Sequence, residues 1–253
     1  MLKKFIDAKK QEILELKRQE AGQGLPKPYP GHRPELIKAL SRPGPSVIAE
    51  YKRASPSRGV INTALSAGDA AKMFVRGGAR AFSVLTEHKF FQGDLDFLGA
   101  FAGHGLPVLR KDFLFHPLQV RQTASTPASA LLFIVRIIQD RHLLKELVKI
   151  SQGLGLEPVV EIFNHQELEQ ARFSGARIIL VNNRDLDSMK IDLNTGKELI
   201  GEKDSLETWI CASGLDSKYQ VYEFYHLGFE AFLIGTGIMS SDDPEEKLRE
   251  FST

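Results

Sequence analysis

Short apolar runs rich in β-branched residues recur along the chain: "SVIAEY" (46–51), "AFSVLT" (81–86), "LPVLR" (106–110), "SALLFIV" (129–135), "PVVEI" (158–162), "ARIILVNN" (176–183), "ETWICAS" (207–213) and "EAFLIG" (230–235). Runs of this length with few polar interruptions predict strands covered on both faces, as in a parallel sheet. Most are separated by segments with apolar residues at three- and four-residue spacing and a glycine near the end. "DRHLLKELVKISQGLGL" (140–156) and "SKYQVYEFYHLGF" (217–229) are examples, and both predict helices.

Eight strands alternating with helices in 253 residues predict a closed (β/α)8 TIM barrel rather than an open sheet. Ahead of the first strand, "MLKKFIDAKKQEILELKRQE" predicts an amphipathic helix. The segment "EAGQGLPKPYPGHRPELIKALSRPGPS" is dense in Gly and Pro, with room for one short helix in "RPELIKAL". A lone helix cannot bury a core, so residues 1–253 are expected to form one barrel domain with 1–45 as an N-terminal helical extension and linker.

Charge narrows the partners. With 33 basic and 32 acidic side chains the net charge is +1, which provides no basic stripe for nucleic acid and no polybasic tail for anionic lipid. The N-terminal segment is too charged for a secretion signal, and no apolar run is long enough to span a bilayer. The lone Cys211 cannot form an intramolecular disulfide. A cytoplasmic protein is expected.

The strand ends carry the chemistry. In "GLPVLRKDFLFHP" (105–117) three adjacent charges, Arg110, Lys111 and Asp112, interrupt an apolar segment, although burying an unpaired charge is costly. Barrel active sites lie at the carboxyl ends of strands, so these charges are expected where the third strand leaves the packed interior. The two-residue period puts Ile48, Glu50 and Lys52 on one side of the first strand. It pairs Val159 with Glu161 in the fifth, and Leu180 with Asn182 and Arg184 in the sixth. Lys52, Lys111, Glu50, Glu161, Asn182 and Arg184 therefore converge on one mouth.

Two glycine-bearing turns, "ASGLDS" (212–217) and "IGTGIMSSDDP" (234–244), follow the seventh and eighth strands. In such barrels these loops often hold a phosphate on backbone N–H groups, and Gly214, Gly235 and Gly237 would permit a close approach; equally, a glycine can serve a turn that needs positive φ. The seven histidines show no metal-ligand spacing, and there is no Walker loop or dinucleotide fingerprint.

Taken in order, "VIAEYKRASPSRGVI", "SVLTEHKFFQGDLDFL", "PVLRKDFLFHPLQV", "LLFIVRI", "PVVEIFNHQELEQA", "VNNRDLDSMKIDLNT" and "FLIGTGIMSSDDP" resemble the successive motifs of the indole-3-glycerol phosphate synthase family. That family carries out a decarboxylating ring closure in tryptophan biosynthesis. The resemblance implies 1-(2-carboxyphenylamino)-1-deoxyribulose 5-phosphate as a small-molecule phosphosugar–anthranilate substrate, with no cofactor and no metal. It implies Lys111 as the acid at the substrate ketone and Glu161 as the acid/base of the dehydration. Lys52 and Arg184 match positions that hold anionic groups, and Asn182 and Glu50 match polar positions that orient the substrate or the lysine. Phe90 and Phe113 are implied against the anthranilate ring, and Ser55, Ser213, Gly214, Gly235 and Thr236 near the phosphate or the moving first loop.

One departure stands out. The family usually carries a glutamate in the Ser/Ala-Glu-Ser-Gly motif that ends strand 7, where "CASGL" has Ala212. A methyl group neither orients a lysine nor exchanges a proton, so a catalytically weakened homologue acting as a binding or assembly partner is the alternative. No nucleic-acid or membrane partner is expected, and the chain is expected to be a monomer or a weak homo-oligomer.

Overall fold

The computed structural model describes residues 2–252. Eight parallel strands close into a barrel: β1 (Ser46–Tyr51), β2 (Ala81–Leu85), β3 (Val108–Lys111), β4 (Ala130–Ile134), β5 (Glu157–Ile162), β6 (Ile178–Asn182), β7 (Thr208–Ala212) and β8 (Ala231–Ile234), with β8 paired to β1. All eight fall within or overlap the apolar runs. Their near-continuous apolar character follows from burial on both faces. Val47, Phe82, Val108, Phe133, Val160, Ile179, Trp209 and Phe232 face the surrounding helices, while Ile48, Leu109, Leu132, Val159, Leu180, Ile210 and Leu233 fill the interior.

Local chemistry sets the helix boundaries. Asp140, Asn164 and Ser217 each accept a backbone N–H at a helix N-terminus, and Gly175 and Gly228 end helices in the left-handed region. The helices at Arg141–Gly153 and Lys218–Leu227 occupy the two predicted segments. Among the described residues, no helix is long and apolar enough to cross a membrane.

The N-terminal extension touches both ends of the barrel. Helix α1 (Leu2–Gly22) buries Phe5, Lys9, Ile13 and Leu16, and Phe5 reaches over the carboxyl ends of the strands. The connection then descends along the helix Pro117–Ala124: the Tyr29 amide donates to Ala124 O at 2.8 Å, and the Arg33 guanidinium donates to Ala124 O and Thr126 O. Helix α2 (Leu36–Leu40), within "RPELIKAL", places Leu36 and Leu40 against the interior layer, which closes the amino-terminal end. The Glu157 carboxylate, at the start of β5, accepts the Leu36 and Ile37 amides and so supplies the cap that Glu35 does not.

The charged triplet divides differently from the expectation that all three residues emerge at the strand exit. Lys111 faces the interior, whereas Arg110 and Asp112 are 2% and 3% exposed. Their burial is offset by partners: Asp112 binds Arg110 Nη2 at 3.0 Å, Lys9 Nζ at 2.7 Å and Thr86 Oγ1 at 2.6 Å. Arg110 also donates to Gln122 and Thr123 at 2.9 Å. Two neighbours of Lys111 thus dock α1 to the barrel.

Candidate active site

A cavity opens at the carboxyl ends of the strands. From β1 and its loop, Glu50, Lys52 and Ser55 line it, and from β3 and the following turn, Lys111 and Phe113. Glu161, Asn182 and Arg184 enter from β5 and β6. Ser213, Gly214, Gly235 and Thr236 come from the turns after β7 and β8. The two-residue strand period is the reason these residues converge: Glu50, Lys111, Glu161 and Asn182 follow the interior apolar residues Ile48, Leu109, Val159 and Leu180 by two positions, and Lys52 and Arg184 continue the period two further on.

Phe90 lies outside this lining. It packs edge-on against Phe5 at 5.1 Å between ring centroids, and Phe91 occupies the cavity wall instead. The reason is local. Glu87 accepts the amides of Lys89, Phe90 and Phe91 and starts a single helical turn, which sends the two adjacent rings in different directions.

Lys111 sits between two carboxylates. Its Nζ is 3.7 Å from Glu50 Oε2 and 3.9 Å from Glu161 Oε2, and Glu50 Oε1 accepts from Lys52 Nζ at 2.7 Å. Burial opposes the ammonium form of Lys111, but Glu50 and Glu161 outweigh it and raise its pKa above the usual lysine value. Burial likewise disfavours the Glu50 carboxylate, and Lys52 and Lys111 overcome that and hold its pKa below the usual value. In Glu161 burial prevails over Lys111 and the Asn182 amide, so its pKa is raised. Two similar carboxyl groups on one lysine are therefore driven in opposite directions, the pattern of an acid/base pair with divided tasks.

Asn182 orients the second carboxylate. Its Nδ2 donates to Glu161 Oε1 at 2.9 Å, and its Oδ1 accepts the Arg184 amide at 3.0 Å. Glu161 Oε2 is buried without a hydrogen-bond partner among the described residues, since Lys111 lies beyond hydrogen-bond distance. Burial lowers the pKa of Arg184, with a further contribution from Arg58.

The two turns are shaped by close approach. Ser213 and Gly214 have φ of 69° and 84°, and a Cβ on Gly214 would overlap Ile191 and Leu193. Asn183, fully buried, fastens this turn by donating from Nδ2 to Ala212 O at 3.2 Å and Ser213 O at 3.1 Å. A Cβ on Gly235 would collide with the Glu50 carboxylate, so glycine there is what lets β8 close against β1 with Glu50 in place. Ala212, 2% exposed, points into the interior layer between Asn182 and Leu233.

Several lining residues carry no separate signal in the sequence. Phe5 stacks on Phe113, and Phe91, Leu132, Leu186 and Met189 complete the apolar wall. The one available hint for Phe5 is its place on the apolar stripe with Ile13 and Leu16 in an otherwise charged helix. Cys211 faces the helices, and burial pushes its thiol pKa up to about 12, so it is an unreactive packing group.

A lysine held between carboxylates at the carboxyl end of a closed parallel barrel, beside glycine turns and an apolar wall, is the arrangement of a (β/α)8-barrel enzyme site. Comparison with known proteins specifies which. The chain belongs to the indole-3-glycerol phosphate synthase family, whose model matches residues 2–251. The indole-3-glycerol phosphate synthase of Aquifex aeolicus is 41% identical over 219 residues, covering 85% of this chain and 84% of that protein. That of Petrotoga mobilis is 31% identical over 255 residues, covering 98% and 95%. Among solved structures, 3-hexulose-6-phosphate synthase from Salmonella typhimurium superposes with a TM-score of 0.65 at 13% identity, covering 82% of this chain and 96% of that one, a likeness of fold alone. Family and relatives identify a carboxy-lyase of tryptophan biosynthesis and lend no support to the non-catalytic alternative.

Proposed function

We propose that this chain converts 1-(2-carboxyphenylamino)-1-deoxyribulose 5-phosphate into indole-3-glycerol phosphate, carbon dioxide and water, with Lys111 as the general acid. The observation that carries the assignment of roles is the placement of Lys111 Nζ between Glu50 and Glu161 inside a cavity with one apolar wall and two glycine turns. The substrate matches that division. Its aromatic ring lies against Phe5, Phe113 and Leu132, and its phosphate on the turns around Gly214 and Gly235, helped by Lys52 and Ser213. Arg184 engages the carboxylate or a sugar hydroxyl.

Attack of the ring carbon on the ketone puts negative charge on the ketone oxygen, and Lys111 gives it a proton as the carbon–carbon bond forms. Release of carbon dioxide restores the aromatic ring. The new hydroxyl then leaves as water while a proton leaves the carbon beside the ring nitrogen. Glu161, with its raised pKa and its unpartnered oxygen in the cavity, serves this step as acid and base. Glu50 holds Lys111 and Lys52 in register.

The reading extends to one barrel domain over residues 1–253, with 1–45 as its extension, working in the cytoplasm as a monomer or weak homo-oligomer without cofactor, metal, nucleic acid or membrane. The test is turnover of the substrate by the purified protein, followed by the fluorescence of the indole product. Saturable formation of product supports the reading. Its absence at high enzyme concentration rejects it.

A further inference from the structure

A half-buried arginine outside the cavity connects three of the loops that build it. Arg136 follows β4 and does not line the main cavity, but it lines a small recess behind Glu161 and Asn182. Its Nε donates to Glu167 Oε1 at 3.0 Å, on the helix after β5, and its Nη1 donates to Asp185 Oδ2 at 2.6 Å, in the loop after β6. Asp187 lies 3.9 Å from the same nitrogen. The guanidinium plane stands over the Phe163 ring, 4.7 Å from its centroid. A planar fork that reaches two carboxylates while stacked on a ring is a task for arginine that lysine cannot copy.

Both carboxylates hold something further. Asp185 accepts the Asp187 and Ser188 amides through Oδ1, while its own N–H donates to Lys190 O at 2.9 Å and its C=O accepts from Met189 N at 2.8 Å. That folds residues 184–191 into a tight loop, which places Arg184, Leu186 and Met189 on the cavity wall. Glu167 accepts the Phe163 amide at 2.8 Å and is largely buried, and its negative charge opposes ionisation of Glu161.

We propose that Arg136 is a positioning residue of this site. By stapling the loops after β4, β5 and β6 it fixes Arg184, Leu186 and Met189 over the substrate, and it neutralises the carboxylate behind Glu161. The inference deepens the synthase reading and rests on it for its catalytic meaning. Glu161 is faced by Lys111 from β3, Glu50 from β1, Asn182 and Arg184 from β6 and its loop, and Glu167 from its own following helix. Of these, Glu167 is the group that Arg136 pairs with directly.

Four variants separate the two arms: Arg136→Met, Arg136→Lys, Asp185→Asn and Glu167→Gln. In ligand-free protein, amide hydrogen exchange reads the loop at Asp185 and Met189, and the 13C resonance of the Glu161 carboxyl reads its titration. Kinetics with substrate follow. Arg136→Met is expected to speed exchange at both amides at least tenfold. It should move the Glu161 titration to higher pH and lower kcat/KM roughly 10- to 100-fold, chiefly through KM. Arg136→Lys should restore the titration but not the loop protection. Asp185→Asn should loosen the loop and leave the titration in place, whereas Glu167→Gln should move the titration to lower pH and leave the loop protected.

Parent-like exchange and titration in Arg136→Met overturn the proposal. Should that variant fail to fold, Asp185→Asn and Glu167→Gln decide the matter, and parent-like behaviour of both overturns it equally. A parent protein without turnover rejects the synthase reading alone, because exchange and titration are measured without substrate.

Discussion

Phe5 lies flat on Phe113, with ring centroids 4.2 Å apart and planes 12° from parallel. One ring belongs to the helix that precedes the barrel and the other to the turn two residues past Lys111. The extension therefore forms part of the cavity wall. Phe5→Ala removes the stack and an edge contact to Phe90, with an expected loss of about 1 kcal/mol of aromatic contact for the substrate ring and roughly fivefold in affinity. KM should rise and kcat should change much less. Steady-state kinetics check this, and an unchanged KM would place the aromatic end of the substrate elsewhere.

Gly235→Ala tests the contact between β8 and β1. The added methyl meets the Glu50 carboxylate, which is buried and tied to Lys52, Lys111 and Ser83, so it has little freedom to move aside. Displacing Glu50 takes away an anion that favours the ammonium form of Lys111. The expected result is a drop in kcat of roughly 10- to 100-fold with a folded, cooperative melting transition, since overpacking typically costs about 1 to 3 kcal/mol. Kinetics and a thermal melt on the same preparation check both halves.

The strand-7 alanine gives a comparison between variants. Ala212 borders the cavity with Asn182 and Leu233 as strand neighbours, while Lys111 already has two carboxylates. Ala212→Glu is expected to change kcat less than Lys111→Ala, which should cost about 10²- to 10⁴-fold. An inactive parent with a strongly active Ala212→Glu variant would contradict that ordering.

Acid stability should depend on Asp112. Burial would raise its pKa, but Lys9 and Arg110 overcome burial and lower it to about 2 from 3.8. A depressed carboxyl pKa stabilises the fold above the unfolded value and loses that contribution as pH falls through the folded value. The window is therefore from about pH 4 to pH 2, with a contribution of order 2 to 3 kcal/mol. Chemical denaturation across that range should show a steeper slope in the parent than in Asp112→Asn, where Asp185, also held at about 2, still contributes. The variant should also be about 3 to 5 kcal/mol less stable at neutral pH because Lys9 and Arg110 lose their shared anion.

The barrel is legible in the sequence because each strand is a compact apolar run bounded by turn residues, and the mouth because the strand period carries Lys111, Glu161 and Asn182 inward from apolar anchors. What the period cannot show is the partner across the chain. In the sequence Arg110 and Asp112 are as solvent-directed as Lys111, and only folding brings Lys9 to Asp112 and Glu12 to Arg110, each about a hundred residues earlier. The choice between Phe90 and Phe91 rests on a single helical turn capped by Glu87, too short to leave a periodic trace. Arg136 gives no signal of its own because its fork joins Glu167 and Asp185, which become neighbours only when the barrel closes.

The descent of the extension from the mouth to the opposite end has a consequence for biosynthesis. During translation α1 leaves the ribosome before any barrel strand, yet its docking partners Asp112, Phe113 and the helix Pro117–Ala124 lie about a hundred residues downstream. The α2 cap waits longer still, for Glu157. A nascent chain must therefore carry an apolar stripe of Phe5, Ile13 and Leu16 unsheltered while half the barrel is made, an interval of roughly 5 to 20 seconds at ordinary elongation rates. Lys9 and the other charges interleaved with that stripe keep it from becoming an aggregation nucleus in the meantime, so the same lysine that later locks the helix to Asp112 first serves as its solubilising guard.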